Sequence, residues 1–441
     1  MPRVSPRILL LAVFILIVSL VYLAEVSSVP FHPDESTQIY MSSDFEIFFQ
    51  QPSALFWQPE KGDSLRQHYR QLDPPFTHTW IGFVRWLTRQ PELIADWDWS
   101  RSWQANQTAG ALPEADLLQT GRLAVAILFP FTLAFVYLSG KQLGGEITGW
   151  SAIVLTASNA LILLHTRRAM AEGWLVTGVA FSLWALFTWR KRPWLCAIPI
   201  ALAFNAKYSA APLLLVGIIA ILWNPTEKNR TWRGIVVQLA AYLAIFGGIT
   251  LLLNPFLWAH PFESISAAIT ARSNFMAAQS VDFSGASSLF APQTIWQSLT
   301  AMLAQVFFTP PSFAEVSNYL AQTKPVVEEY LSNPLNNLLR GPVGGGTLLG
   351  FFLLGLITTL RRIFTPPRLA SKRGLILILT ALAFEFIFML ITTNVAFQRY
   401  YLVLLPMVIL ICSLGVASLI RFFTDILNWF RTTQKNSSGT V

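Results

Sequence analysis

Residues 8–35 read ILLLAVFILIVSLVYLAEVSSVPFHPDE. The run as far as Leu23 is apolar without a break. At about 1.5 Å per helical residue it comes close to crossing a hydrocarbon core of roughly 30 Å. No water reaches that core to satisfy backbone amides, and the chain shows no alternating strand pattern, so the run reads as an α-helix. Arg3 and Arg7 precede it as they would a secretory signal, but many further apolar runs follow, and it reads as an uncleaved anchor. The adjacent acids Asp34 and Glu35 therefore stand at the mouth of a membrane helix.

Working outward, apolar runs recur at 123–138, 150–164, 174–189, 194–204, 210–223, 235–253, 348–360, 375–391 and 400–420. Of the 441 residues 54% are hydrophobic and only 12% are charged. The fold class is an all-α polytopic membrane protein with about ten transmembrane helices. Residues 1–430 form one transmembrane domain and 431–441 a polar cytoplasmic tail. Cys196 and Cys412 fall inside apolar runs and read as small core residues, not a disulfide. Glu385, inside another run, is costly against lipid and calls for a buried partner.

Orientation follows from the short loops. With a cytoplasmic N-terminus, and an even span count returning the C-terminus to that side, the cytoplasmic loops carry Arg190, Lys191, Arg192, Lys228, Arg230, Arg233, Arg361, Arg362, Arg368, Lys372, Arg373, Arg421, Arg431 and Lys435. Their acids are Glu146, Glu227 and Asp425, which is the positive-inside bias. The formal charge of +8 is thus mostly topological. It calls for membrane lipids as partners and needs no nucleic acid. The expected location is the cell membrane.

Two long segments, 25–120 and 255–346, fall on the outer side and hold most acids, and all five histidines, His165 included, map to that side. Phe76, Trp80, Phe83, Val84 and Leu87 recur at helical spacing, as do Leu299, Met302, Leu303 and Val306, which predicts juxtamembrane helices. Thr309-Pro310-Pro311 and the stretch 333–346 read as loops of a lid, with Gly344-Gly345-Gly346 as a hinge or loop.

Charged residues from separate parts of the chain converge on that outer face: Asp34 and Glu35, Arg167 and Arg168 with Glu172, Lys207, and Arg399. Charge at this depth is expensive unless paired, solvated or used. Basic groups there suit a lipid-linked phosphate, and acids suit a proton transfer.

The local strings then become familiar. Phe31-His32-Pro33-Asp34-Glu35, His165-Thr166-Arg167-Arg168-Ala169-Met170-Ala171-Glu172, Asn205-Ala206-Lys207-Tyr208-Ser209, Asn254-Pro255-Phe256 and Gln398-Arg399-Tyr400-Tyr401 follow one another in order. Together they resemble the GT-C superfamily of glycosyltransferases, nearest the protein O-mannosyltransferase and aminoarabinose-transferase type. The resemblance implies a polyprenyl-phosphate-linked sugar as donor and transfer on the outer side, to a protein, lipid or glycan acceptor. It places the catalytic acid on Asp34 with Glu35 beside it. It places donor-phosphate binding on Arg167, Lys207, Arg399 and Tyr400, with Glu172 and His32 in support. Two departures stand out: the usual His-Pro-Pro element reads Asp73-Pro74-Pro75, and the chain ends soon after its last apolar run.

The residues support that chemistry on their own terms. A hydroxyl is a poor nucleophile until a base takes its proton, whereas a phosphate leaves well once its charge is held. Asp34 would be the base and would favour inversion, while Lys207 and Arg399 would neutralise the departing phosphate. Neighbouring helix positions point about 100° apart, so Glu35 has another task, ordering a basic residue or the acceptor.

Other classes were weighed. A transporter or lipid flippase would place charges near the midplane and show an inverted repeat, and neither is seen. A non-catalytic subunit of an envelope assembly would leave the ordered charged strings unexplained. Five histidines on one face admit a divalent ion, but none forms an i, i+4 pair, and no metal ligand is assigned. No cofactor is called for. The topology has a direct check: single-cysteine labelling from outside should reach 25–120 and 255–346 and miss 361–373. External labelling of that basic loop would reverse the orientation.

Overall fold

The computed structural model describes residues 5–61, 64–223, 231–283, 285–314, 319–365 and 369–438. Arg3, Glu227, Lys228, Arg230 and Arg368 of the basic loops lie outside the described residues, as do the side chains of Arg431 and Lys435. Among the described residues every regular element is helical. Six helices are long and apolar enough to cross a membrane: Pro6–Ala24, Ala115–Gly144, Trp232–Leu253, Gly341–Phe364, Lys372–Thr392 and Gln398–Trp429. Shorter apolar helices occupy Glu172–Thr188, Pro193–Ala206, Tyr208–Leu222 and Ile295–Phe308. The chain is an integral membrane protein.

The breaks between these pieces have local causes. Ala115–Ala126 gives way to Phe129–Gly144 where Pro130 lacks an N–H to continue the ladder. The run expected as one span at 150–164 is two helices, Glu146–Ala157 and Ala160–His165. Asn159 caps the second, its Oδ1 accepting the Leu161 and Ile162 N–H groups at 3.1 Å each. The last span enters as a 3-10 segment, Gln398–Leu404, before the α-helix starts at Leu405 with Pro406 in its first turn.

Burial sorts the helices. Glu172–Thr188 buries 13 of its 17 residues and packs against Phe129–Gly144, Ala197–Ala206 and the last helix. Pro6–Ala24 and Trp232–Leu253 leave most of their apolar surface uncovered, as lipid-facing helices do. Where two spans cross, small residues set the distance. A Cβ on Gly355 would collide with the Ile411 carbonyl, and one on Gly415 with the Phe351 carbonyl.

Outside the spans, Pro33–Met41, Asp44–Gln50, Leu65–Leu72 and Phe76–Leu87 form a helical layer fastened by buried ion pairs. Arg70 donates to both oxygens of Asp44, at 2.8 and 2.7 Å, and Arg85 reaches Glu46 at 2.5 Å and Ser42 Oγ at 3.0 Å. The helix expected over 76–87 is present at those bounds, pinned to the second span by the Trp80 indole N–H on the Ala124 carbonyl at 2.6 Å.

Two expectations are corrected. Gly344, Gly345 and Gly346 are not a loop but the opening turns of Gly341–Phe364, because a glycine at 345 lets the helix pass the Phe307 backbone. The last helix runs to Ser438, so the polar tail is helical as far as that residue. Glu385 is fully buried, yet neither carboxyl oxygen makes a hydrogen bond, so the buried partner expected for it is not there. The glycine crossing can be tested: Gly415→Leu should cost about 1–3 kcal/mol by overpacking. Gly350→Ala, where nothing lies within 4 Å, should be near neutral. Equal thermal midpoints for the two variants would remove the crossing as a packing constraint.

Candidate active site

The site begins with how Pro33–Met41 starts. His32 is its N-cap, Pro33 fixes the first helical φ, and Asp34 and Glu35 complete the first turn. The His32 Nδ1 accepts the Asp34 N–H at 3.1 Å, and Glu35 Oε2 accepts the His32 N–H at 3.0 Å, closing a capping box. Glu35 is fully buried. Arg122 holds it at both oxygens, 2.7 and 2.9 Å, and the Ala169 N–H donates to Oε1 at 2.9 Å. Burial alone would raise this carboxyl, but the charge and hydrogen bonds of Arg122, with Arg168 and the Ala169 amide, outweigh it and hold Glu35 below the ordinary glutamate range. Glu35 thus orders a basic residue, as its place beside Asp34 suggested. That basic residue, Arg122, was not foreseen.

Asp34 has the opposite surroundings. A third of its side chain is open, and Oδ2 is paired with Arg399 Nη1. His32 Nδ1 lies 3.8 Å from its other oxygen. Lys207 sits one step away, its ammonium 2.5 Å from Glu172 Oε1 and over the Tyr400 ring at 5.2 Å. The Arg399 guanidinium lies 5.5 Å from the same ring. Asp34, Glu172, Lys207, Arg399 and Tyr400 therefore meet, drawn from four parts of the chain.

Arg167 and Arg168 are held by backbone carbonyls. Arg167 donates to the Tyr22 carbonyl at 3.2 Å and stacks over the Tyr22 ring at 4.7 Å. Arg168 donates to the carbonyls of Pro30 and Phe313, at 3.2 and 3.0 Å. Arg167 thus holds the end of the first span, and Arg168 the loops at Pro30 and Phe313. Gln398, next to Arg399, holds the Pro-rich loop as well: its amide donates to Thr309 and Pro310 carbonyls and accepts the Ser312 N–H at 2.7 Å. Arg340 caps the turn before that loop through the carbonyls of Gln305, Val306 and Thr309. The segment read as a lid is thus strapped to the residue preceding Arg399.

Beside Lys207 and Tyr400 opens a cavity of about 180 Å³ whose polar wall adds Asp73, Tyr208 and Arg272. Arg272, on Pro261–Asp282, carried no local signal, because a lone arginine in a long outer segment looks like any surface charge. Arg122 did carry one: it is a charge at the start of an apolar run. On the other side of Asp34, the Tyr69 hydroxyl donates to Asp96, whose carboxyl burial pushes up to about 6. Among the described residues no three His, Cys, Asp or Glu side chains converge to form a metal cage.

No protein-family model and no curated protein matches the chain. Solved structures do. The archaeal oligosaccharyltransferase AglB from Archaeoglobus fulgidus, in complex with an inhibitory peptide and a dolichol-phosphate, matches with a TM-score of 0.50 at 12% identity, over 96% of this chain and 52% of that one. An oligosaccharyltransferase structure from the same organism, tethered to an acceptor peptide, gives 0.51 at 12%, over 95% and 51%. The protein O-mannosyltransferase Pmt1-Pmt2 complex of S. cerevisiae, bound to the sugar donor, gives 0.40 at 16%, over 60% and 35%. At such identities the likeness is one of fold, and the two archaeal structures carry it. This chain shares the fold of the archaeal oligosaccharyltransferase and spans about half the length of those structures.

The Glu35–Arg122 pair has a measurable consequence. Arg122→Met strands a buried carboxylate and should cost about 3–5 kcal/mol, read as a lower thermal midpoint in detergent. Because the folded carboxyl sits below its unfolded value, the stabilisation from Glu35 is complete above the ordinary glutamate range and drains as pH falls below it. The variant should lose that acid-side slope. An unchanged midpoint would mean that the pair fastens nothing.

Proposed function

We propose that this protein is a membrane glycosyltransferase that moves a sugar from a polyprenyl-phosphate carrier to an acceptor hydroxyl on the outer side, with inversion and with Asp34 as base. The observation that carries this reading is the junction of the half-open Asp34 with Arg399 beside Lys207, Tyr400 and a polar cavity. The likeness in fold to a protein seen with dolichol-phosphate and a peptide supports a lipid-linked donor and admits a protein acceptor.

In the resting site Arg399 is bound to Asp34, so the carboxylate oxygen is engaged. A donor phosphate offers Arg399 a better partner. As the guanidinium turns to it, Asp34 Oδ2 is freed to accept the acceptor's proton. The acceptor oxygen then attacks the anomeric carbon from the face opposite the phosphate. Its proton passes to Asp34, and the carbon–oxygen bond to phosphate breaks with the electron pair leaving on phosphate, where Lys207 and Arg399 hold the charge. Glu172 keeps the ammonium of Lys207 in place, and Tyr400 supplies a wall between the two cations. Arg167, turned to Tyr22, adds positive field from behind, and His32 sets the angle at which Asp34 leaves the helix cap.

Asp34→Asn should abolish turnover while sparing donor binding, and Glu35→Gln should act through stability. Near-normal transfer by Asp34→Asn would remove it from the mechanism. Lys207→Gln and Arg399→Gln should each lose about 1.5–3 kcal/mol of phosphate contact, roughly ten- to a hundredfold in donor affinity or in rate. Arg399→Lys should recover only part of that, since the fork geometry is gone. Unchanged binding and turnover in both Gln variants would return these residues to membrane anchoring.

A further inference from the structure

Asp73 is the odd member of the cavity. It closes Leu65–Leu72, its N–H donating to the Tyr69 carbonyl at 2.9 Å, and two prolines follow it. Its extended backbone is what a residue before proline prefers, so the side chain is set into the cavity by rigid local structure. There it joins Lys207, Tyr208, Arg272 and Tyr400. An acid has no evident use in a pocket that is to receive an anion.

The three ion pairs of the site are not equally tight. Lys207 and Glu172 meet at 2.5 Å, and Arg399 and Asp34 are in direct contact. Arg272 Nη1 and Asp73 Oδ1 are 3.9 Å apart, beyond hydrogen-bond distance, with both side chains open to the cavity. That gap is wide enough for exchange: a ligand oxygen can take the cation without first breaking a hydrogen bond. Counted together, Asp34, Asp73 and Glu172 balance Lys207, Arg272 and Arg399.

The geometry points to Asp73 as a built-in counter-anion, which balances Arg272 and Lys207 while the pocket is empty and releases them to the phosphate of a lipid-linked donor on taking up a proton. This rests on the donor-pocket reading above. The groups that face Asp73 are Arg272 on Pro261–Asp282, Lys207 and Tyr208 after Ala197–Ala206, Arg399 on Gln398–Leu404 and Asp34 on Pro33–Met41. Crowding by protein already raises the Asp73 carboxyl, with Arg272 and Lys207 opposing, Asp34 adding to the rise and Arg399 lowering it. An arriving phosphate is a further like charge and moves it the same way, so protonation accompanies binding.

The test is binding of a short-chain prenyl monophosphate to the full chain in phosphatidylcholine nanodiscs, comparing wild type with Asp73→Asn. The probe gains charge with pH in both proteins, so the difference between them is what counts. Asp73→Asn should bind about tenfold tighter at alkaline pH, with the gap closing as pH falls and wild-type Asp73 takes up its proton. Arg272→Gln should weaken wild-type binding, and adding it to Asp73→Asn should show coupling between the two sites, which a merely structural role for Asp73 would not produce. Equal or weaker binding by Asp73→Asn, with wild type still binding, would overturn the counter-anion and leave the donor pocket standing. A gap that does not close at lower pH would overturn the proton coupling. No binding by any variant, or equal competition by phosphatidylglycerol placed in the disc, would overturn the donor pocket itself.

Discussion

The rest of the candidate site depends on one buried carboxylate. Glu35 takes hydrogen bonds from Arg122 at the start of the second span, from the Ala169 amide between later helices, and from the N–H of His32 in its own cap. Those contacts fix where the Pro33–Met41 helix starts and how it is rotated. Because neighbours on a helix point about 100° apart, turning Glu35 inward turns Asp34 towards the cavity side. A buried pair of this kind is weak evidence of stabilisation relative to well-packed apolar residues. Its work here is registry: it sets the direction of the neighbouring, partly open carboxylate of Asp34.

Lys207 is placed by an analogous device. Ala197–Ala206 ends and Tyr208–Ala210 begins with Lys207 between them in extended backbone, φ −158° and ψ 131°. A continuous helix would have put this side chain among apolar neighbours in a stripe facing other helices. The break lets the ammonium reach Glu172, the first residue of the largely buried helix Glu172–Thr188. Irregular backbone at such depth is tolerated where it lines a cavity, and this break does. The short helices on either side are the structural counterpart of a cation brought to a pocket.

Much of this was legible in the sequence, for different reasons at different positions. Apolar runs announced the spans because lipid leaves no alternative to internally bonded helices, and the 76–87 helix was visible from its stripe. Asp34, Lys207, Arg399 and Tyr400 could be read because charge at a membrane boundary needs a reason, and the structure does bring them together. Helix breaks were less legible. Asn159 caps a helix in the middle of an apolar run, and Gly344 to Gly346 continue one, because a neighbour's backbone and not local propensity decides there. Arg167 belonged to the right motif, but the direction of a side chain is set by packing, which here turns it to Tyr22. Arg272 and Asp73 became a pair only when two outer segments far apart in sequence were folded onto each other.

That last pairing bears on how an anionic substrate is handled at a membrane surface. A pocket holding three uncompensated cations would attract every phosphate headgroup in the leaflet, and it would also carry the cost of keeping like charges close in a poorly solvated site. Supplying each cation with its own acid removes both problems and leaves selectivity to exchange. A headgroup that cannot enter the cavity gains nothing by approaching, because the cations are already satisfied. A phosphate that does enter must displace a carboxylate, and the carboxylate it displaces most easily is the one held at the longest distance, Asp73. On the reading proposed above, the same exchange at Arg399 would free Asp34, so that donor binding and activation of the base would be one event carried by the exchange of counter-charges.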